Sequence, residues 1–551
     1  MSGSRPFAAL AAAALFLQGA LGLYAARTHS AVYDEPLHLA AGCVLWRLGD
    51  ARLTAKNPPL AVLLLSAPLR TMRVELPLQS PEWAGSFGVA FAERMLFWSG
   101  NDADGLLLRA RAVNLLLSLL LSAALWAFAR RRWGDGPAAL AAALYAFSPS
   151  LLAHSALATS DMTATFFLIL AFLALCAHLE KPAAPRAAAA GLCAAAAVLC
   201  KHTAVLFWPA AALATAAWTL GRRDGFGRAR TLLAWGLLPW AAVVAVYLAL
   251  SPGGWGSFLD QVSQVREIGH PSFLLGRLSR DGRLAYYAVA FLVKSTPVEV
   301  LAAAALLLRL LRVRGRSDAA SLVAFSGAAV YLLVASLSHK QLGIRYVLPL
   351  YPLLALSAAP AARETGRRWA PALVLAGVLQ AGAAFAAAPH HLSYFNVFAG
   401  GPAGGHRFLA DSNLDWGQDL RRLRAFVEEQ GQPELILSYF GTASPEYYGI
   451  RAQRFASTNA IQLRWRNSEK PRREFLVVSR TNLQGVYDPP GPRLSWLKDR
   501  APTARLGWSL LIYDVTADAE AHRRLARGYA ELGDAALAAH EDRRAAVIRC
   551  R

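Results

Sequence analysis

"AVYDEPLHLAAG", residues 31–42, sets two adjacent carboxylates, Asp34 and Glu35, just beyond an apolar run (7–26) long enough to cross a membrane. Only 17% of the chain is charged, so two acids at the mouth of a hydrophobic segment need a reason. Pro36 suits the first turn of a helix and Asp34 suits its cap. Capping explains neither Glu35 nor His38, which lies four residues beyond Asp34 and shares its face.

Working outward, apolar runs of similar length recur near 112–129, 137–153, 162–179, 187–200, 203–220, 231–250, 296–311, 319–337, 346–362 and 370–388. With 7–26 they make about 11 candidate spans in a 551-residue chain that is 55% hydrophobic with a mean hydropathy of +0.32. The expected fold class is a polytopic α-helical membrane protein. Arg5 with the apolar stretch Pro6 to Ala26 has the outline of a signal peptide, but it reads as an uncleaved first span because further spans follow.

The formal charge of +21 comes from 57 basic and 36 acidic residues. The basic residues collect in every second short loop: Arg130–Arg132, Lys181 with Arg186, Arg222 to Arg230, Arg312 to Arg316, and Arg363 to Arg368. The positive-inside rule makes that side cytoplasmic. Scattered between spans, these residues point to topology and anionic membrane lipids, not to nucleic acid. The segment 27–111, the turns near 154–161, 200–202 and 338–345, and residues 251–295 then face outward. An odd number of spans places the tail outside as well. Of five cysteines, Cys176, Cys193 and Cys200 lie in apolar runs, and no CxxC or Cys/His cluster suggests structural zinc.

The expected domains are a transmembrane unit, 1–388, with a large first outer loop at 27–111, and an extracytoplasmic α/β unit, 389–551. In the tail, 434–440, 474–480 and 509–515 read as strands, and 416–430 as an amphipathic helix with Asp415 and Gln418 at capping-box spacing. Residues 521–547 read as two short helices around Gly533.

The outward segments hold most of the unusual polar residues. Besides "YDEPLHL" they carry Lys56 in "AKNPPLAVLL" (55–64), His154, Asp161 in "LATSDMTATFF" (157–167), Lys201 and His202 in "LCKHTAVLFWP" (199–209), and Arg345 with Tyr346 in "KQLGIRYVLPLYPLL" (340–354). Ionisable groups at the ends of apolar helices are costly unless they pair or work. Long Lys and Arg side chains can snorkel to the interface, but short Asp side chains cannot. Cations at span ends suit a phosphate, which Arg grips bidentately and Lys as a point charge. "DSNLD" (411–415) spaces its acids like a calcium loop, but Trp416 and Arg422 stand where such a loop needs Gly and Glu, so that reading fails.

The order of these motifs, with Asp-Glu after the first span, Pro-Pro-Leu in the first outer loop, Asp-Met at the next outer turn, a Lys-containing turn and then Arg-Tyr-x-Leu-Pro-x-Tyr-Pro, resembles the GT-C fold of lipid-dependent glycosyltransferases. It is similar to the protein O-mannosyltransferase family (glycosyltransferase family 39) and its bacterial relative, lipid A aminoarabinose transferase. The resemblance covers about residues 7–362. "LSYFNVFAGGP" (392–402) and "DSNLDWGQDLRRL" (411–423) also look like stretches of bacterial members of that family. One departure is Asn57 directly before Pro-Pro, where the aminoarabinose transferases carry Lys; here Lys56 lies one place earlier.

The resemblance implies transfer of a sugar from a polyprenyl-phosphate donor to a lipid, glycan or protein acceptor at the extracytoplasmic face, with inversion, in a bacterial inner membrane. Asp34 is then the expected base, with Glu35 and Asp161 orienting the acceptor or tuning it. Lys201, Arg345 and Lys56 would hold the donor phosphate, and His38, His154, His202 and Tyr346 would line the site. No cofactor is expected, since fixed cations can neutralise phosphate; Asp34, Asp161 and His154 are the residues that could hold a divalent metal. The alternative is a transporter or flippase of lipid-linked sugars, which usually places its charges at the bilayer midplane in two matching halves. No such halves are visible.

Overall fold

The computed structural model describes residues 4–54, 58–219, 225–250, 269–312, 318–365, 369–488 and 493–550. Lys56 lies outside them. The chain is mostly helical, and among the described residues six helices are long and apolar enough to cross a membrane: Pro6–Thr28, Ala103–Trp133, Ser160–Glu180, Gly227–Ala249, Ala319–Leu337 and Ala370–Ala387. Asp135–Ala146 and Pro149–Ser155 make a seventh if a pair bent by 60° counts as one span. Pro149 explains the bend, since it supplies no N–H to continue the preceding helix.

Each of the 11 expected runs carries helix, yet four described helices fall short of spanning length. They are Ala184–Cys200, Phe207–Thr219, Pro297–Arg312 and Leu350–Thr365, with 17, 13, 16 and 16 residues. At 1.5 Å per residue the longest reaches about 26 Å, less than the ~30 Å hydrocarbon core. Among the described residues, length alone therefore supports six or seven of the 11 expected spans. The apolar run at 59–66 also forms a short helix, Pro59–Ser66, which packs against Glu35–Leu48 and Ala184–Cys200.

One end of the helical body carries ion pairs that suit a polar surface. Arg132 pairs with Glu180 at 2.9 Å, and Arg309 with Asp318 at 2.6 Å and Glu364 at 2.5 Å. The candidate site lies toward the other end, where the tail docks.

The tail holds a five-stranded sheet. With a hairpin of β1 (Ser272–Leu274) and β2 (Arg277–Ser279) earlier in the chain, its strands are β3 (Glu434–Ser438), β4 (Gln453–Arg454), β5 (Glu474–Ser479), β6 (Ala504–Leu506) and β7 (Leu510–Asp514). The order is β4-β3-β5-β7-β6, with β3 parallel to β4 and β5, and β7 antiparallel to β5 and β6. The period-2 alternation sorts the side chains onto two faces. Leu435, Leu437, Phe475, Val477 and Ile512 join a core with Leu39, Val44, Phe91 and Leu106 from the segment after the first span and the long helix that follows. Ile436, Leu476, Val478 and Leu511 pack under Leu525 and Tyr529 of the terminal helix pair, Ala519–Glu531 and Ala535–Arg549. The sheet is thus buried on both faces, and every residue of β5 is buried.

The helix expected from 416 begins only at Leu420 and ends at Glu429. Asp415 does not cap it: its carboxylate accepts N–H bonds from Gly417 and Thr481, while Gln418 Oε1 accepts from Trp416 N–H. Nonlocal partners win over the local capping pattern here. Residues 389–419 are wedged into the end of the helical body that carries the candidate site. Lys294 Nζ donates to Leu392 O at 2.8 Å and Asn413 O at 2.6 Å, and the Asn396 amide donates to Leu292 O and Ser295 O.

Candidate active site

Four separated parts of the chain deliver Asp34, Asp161, Lys201 and Arg345 to one place. Asp34 precedes the helix Glu35–Leu48 but makes no side-chain capping bond. Instead its Oδ2 accepts from Arg345 Nη1 at 2.7 Å. Asp161 stands in the first turn of Ser160–Glu180, with Thr159 at the cap position. That turn is clamped by Asn114 of the long second span, whose amide donates to Leu157 O and Thr159 O. Asp161 is buried and accepts from Lys201 Nζ at 2.5 Å, with Arg345 Nη1 at 3.8 Å. Neither aspartate is explained as a cap, and each faces a cation.

Arg345 sits on a short 3₁₀ turn, Ile344–Val347, launched from Gly343 at φ +93°. A Cβ at Gly343 would meet Ser412 Oγ at 2.7 Å, so both the backbone angle and the close approach call for glycine. The "DSNLD" segment holds this turn from above. Ile344 N–H donates to Asn413 Oδ1 at 2.9 Å, and Ser412 Oγ donates to Leu342 O at 2.6 Å. The guanidinium lies 4.3 Å from the Trp416 ring centre and 5.6 Å from that of Tyr346, while Lys201 Nζ lies 4.2 Å from Tyr346. Burial works against the charge on Arg345, but the carboxylates of Asp34 and Asp161 outweigh it and raise its pKa.

The cluster opens onto a cavity of about 390 Å³ lined by Tyr33, Asp34, His270, Arg345, Asp411 and Tyr487, among others. Its wall is an aromatic stack: Tyr33 and Phe440 lie 5.4 Å apart, Phe440 and Tyr487 5.1 Å apart and nearly parallel. Asp411 holds a left-handed backbone at φ +57° and accepts a hydrogen bond from the Tyr487 hydroxyl. Burial, then the charge of Asp411, keeps Tyr487 protonated as the donor. On the membrane side, Asp161, Lys201, Arg345, Tyr346 and Tyr331 enclose a pocket of only about 20 Å³, too small for a phosphate unless Arg345 moves.

Glu35 is placed elsewhere. Its side chain is 0% exposed and pairs bidentately with Arg111, itself 2% exposed, at 2.6 and 2.7 Å. It also accepts from Val32 N–H at 2.8 Å and Ala158 N–H at 2.7 Å. Arg111 spends its other donors on the carbonyls of Ala26, His29 and Ser30. Glu35 therefore adds no free charge beside Asp34. It ties the end of the first span to the second span and to the 157–161 turn. His38 is buried on the same helix, and burial lowers its pKa. His154 is buried edge-on to Trp416, 6.4 Å between ring centres, and His202 opens the turn after Lys201.

Sequence reading missed Arg111, Trp416, Tyr33, His270, Asp411 and Tyr487. Asp411 and Trp416 lie in or beside a motif whose calcium-loop reading fails and whose family resemblance carries no residue role. The others carry no local signal, because their partners are far away in the chain. Among the described residues no group of three or more His, Cys, Asp or Glu is arranged to hold a metal.

Residues 104–252 match the family described as "Dolichyl-phosphate-mannose-protein mannosyltransferase". No curated protein matches the chain. Two solved structures are similar to it at 14% identity. ArnT from Cupriavidus metallidurans in the apo state has a TM-score of 0.49, over 92% of this chain and 97% of that one. The same protein bound to undecaprenyl phosphate has a TM-score of 0.47, over 93% and 98%. Over its second to seventh apolar runs, then, the chain is similar to the dolichyl-phosphate-mannose-protein mannosyltransferases.

Proposed function

We propose that this chain is a membrane glycosyltransferase that moves a sugar from a polyprenyl-phosphate-linked donor to a lipid, glycan or protein acceptor at the extracytoplasmic face. The observation that carries the reading is the meeting of Asp34, Asp161, Lys201 and Arg345 beside a 390 Å³ cavity with an aromatic wall. The family match over residues 104–252 supports the same donor class.

The chemistry follows from the pairing. Arg345 is shared between two carboxylates and Lys201 is held by one. A donor phosphate is a stronger partner for a guanidinium, offering bidentate geometry and more charge. Drawing Arg345 onto the phosphate frees Asp34 Oδ2. The acceptor hydroxyl then attacks the anomeric carbon while the carbon–oxygen bond to phosphate breaks. Its proton passes to Asp34, and the electron pair leaves with the phosphate, where Lys201 and Arg345 stabilise the charge. A single displacement inverts the anomeric centre. Asp161 fixes Lys201, the Tyr33–Phe440–Tyr487 wall suits the flat face of a sugar ring, and Glu35 positions Asp34 through Arg111.

The test is release of polyprenyl phosphate by the purified protein. General-base help is worth about 10²–10⁴ in rate, so Asp34→Asn should lose at least that much and still bind donor. No release by wild type with any polyprenyl-phosphate sugar, or near-normal release by Asp34→Asn, would sink this assignment.

A further inference from the structure

A second cavity, of about 750 Å³, lies on the far side of the segment that carries Asp411. It is lined by His406, Arg407, Arg480, Lys498, Arg500 and Arg505, and no Asp or Glu lines it among the described residues. Arg500 is already paired with Asp518. Arg480 is the telling member. It begins the short helix Arg480–Leu483 directly off β5, where its backbone N–H donates to Ser509 O at 2.8 Å. Its side chain is buried, the residue being 3% exposed, and its Nε has no hydrogen-bond partner among the described residues. The nearby Asp415 carboxylate is occupied by Thr481 and Gly417 N–H groups and makes no ion pair with it.

A buried guanidinium without a counter-ion among the described residues, facing a cavity with further cations, is unfavourable unless an anion completes it. Burial, then the charge of Arg505, pushes Arg480 down to about 10, in keeping with a charge that lacks its partner. His406 is pushed down to about 4, by burial and then by Arg480, and is neutral near pH 7. The rest of the lining is apolar, including Phe408, Leu497 and Tyr513.

The mouth indicates where the anion comes from. Val397 and Phe398 are 74% and 69% exposed, and Leu275 across from them is also exposed. Asn396, just before them, is bonded to Leu292 O and Ser295 O, at the start of the apolar helix Pro297–Arg312. An apolar rim beside the start of this apolar helix fits acyl chains, with the cations above it at head-group level. We propose that this cavity binds the phosphate-bearing head group of a membrane lipid. A free phosphorylated solute shares the anion chemistry but would gain nothing from the rim.

Full-length protein in nanodiscs separates these outcomes by native mass spectrometry of retained lipid. Wild type should hold phosphatidic acid in preference to phosphatidylcholine. Each cation removed should weaken retention about fivefold, in Arg480→Gln and in the exposed pair Lys498→Gln with Arg505→Gln, which keeps the test open if the buried variant misfolds. Equal retention of both lipids, or unchanged retention in the exposed double variant, would overturn the site. Glycerol phosphate binding as tightly as phosphatidic acid would overturn the lipid assignment. The readout is binding alone, and none of these residues lines the Asp34 cavity, so failure here leaves the transferase reading untouched.

Discussion

Replacing Glu35 by Gln keeps the shape of the side chain but removes the counter-charge of Arg111. Both partners are almost fully buried, and the guanidinium makes five hydrogen bonds, two to Glu35 and three to the carbonyls of Ala26, His29 and Ser30. Breaking a buried pair from one side costs about 3–5 kcal/mol, because an uncompensated charge stays behind. The glutamine NH₂ would also face one of the N–H donors now bonded to the carboxylate, from Val32 and Ala158. Cys43 reports the damage. It is buried on the same helix, Glu35–Leu48, and burial pushes its thiol up to about 11, so it reacts only when the helix opens. At 1.4 kcal/mol per factor of ten, the loss corresponds to labelling about 150- to 4,000-fold faster. Mass spectrometry of the labelled peptide reads that rate without disturbing the other thiols. Adding Arg111→Met should give a double variant less impaired than the two single changes summed, since the stranded charge is gone. Labelling within fivefold of wild type, with sugar transfer abolished, would refute the reasoning and mark Glu35 as acting on substrate.

Arg345→Lys should weaken donor use even though charge is kept, because one ammonium cannot replace a planar fork shared between Asp34, Asp161 and a phosphate; a normal donor KM would remove Arg345 from the phosphate site. Cys550 is exposed in the tail, so a membrane-impermeant thiol reagent should label it in spheroplasts if the tail is extracytoplasmic; labelling only after lysis would reverse the topology. Burial pushes the Asp415 carboxyl up to about 7, against bonds from Thr481 and Gly417 that favour its charged form. An acid whose folded pKa is raised binds more protons when folded, so its contribution to stability falls as pH rises from about 4 to about 7. Asp415→Asn removes that loss. The new amide NH₂ faces one of the two N–H donors, which costs stability at every pH, but the variant's melting temperature in detergent relative to wild type should rise from pH 5 to pH 8, and a constant difference would contradict the buried-acid account. Neutral histidines such as the half-buried His390 and the buried His391 change the absolute curves in the opposite sense, but equally in both proteins.

Periodicity and composition were enough for the membrane-protein class, because a spanning helix must satisfy its own backbone and writes its length into consecutive residues. They were also enough for β3, β5 and β7 and for the helix pair around Gly533, which are local patterns. The number of helices that truly reach across was not legible: alanine-rich runs such as 187–200 look apolar enough, yet the helix there has only 17 residues. The sequence alone singled out Asp34, Asp161, Lys201 and Arg345, since charges at the ends of apolar helices stand out against their surroundings. Only the tertiary structure decided what each one meets. Glu35 and Asp34 are neighbours in the chain, but one turns inward to Arg111, 76 residues away, and the other outward to Arg345, 311 residues away. Partner choice at such distances depends on helix packing and on the 389–419 segment wedged between the layers, and local sequence holds no record of either. The same holds for the cavity itself, whose aromatic wall joins Tyr33 from the first loop to Phe440 and Tyr487 from the tail only because the sheet's inner face and that loop bury one shared apolar core.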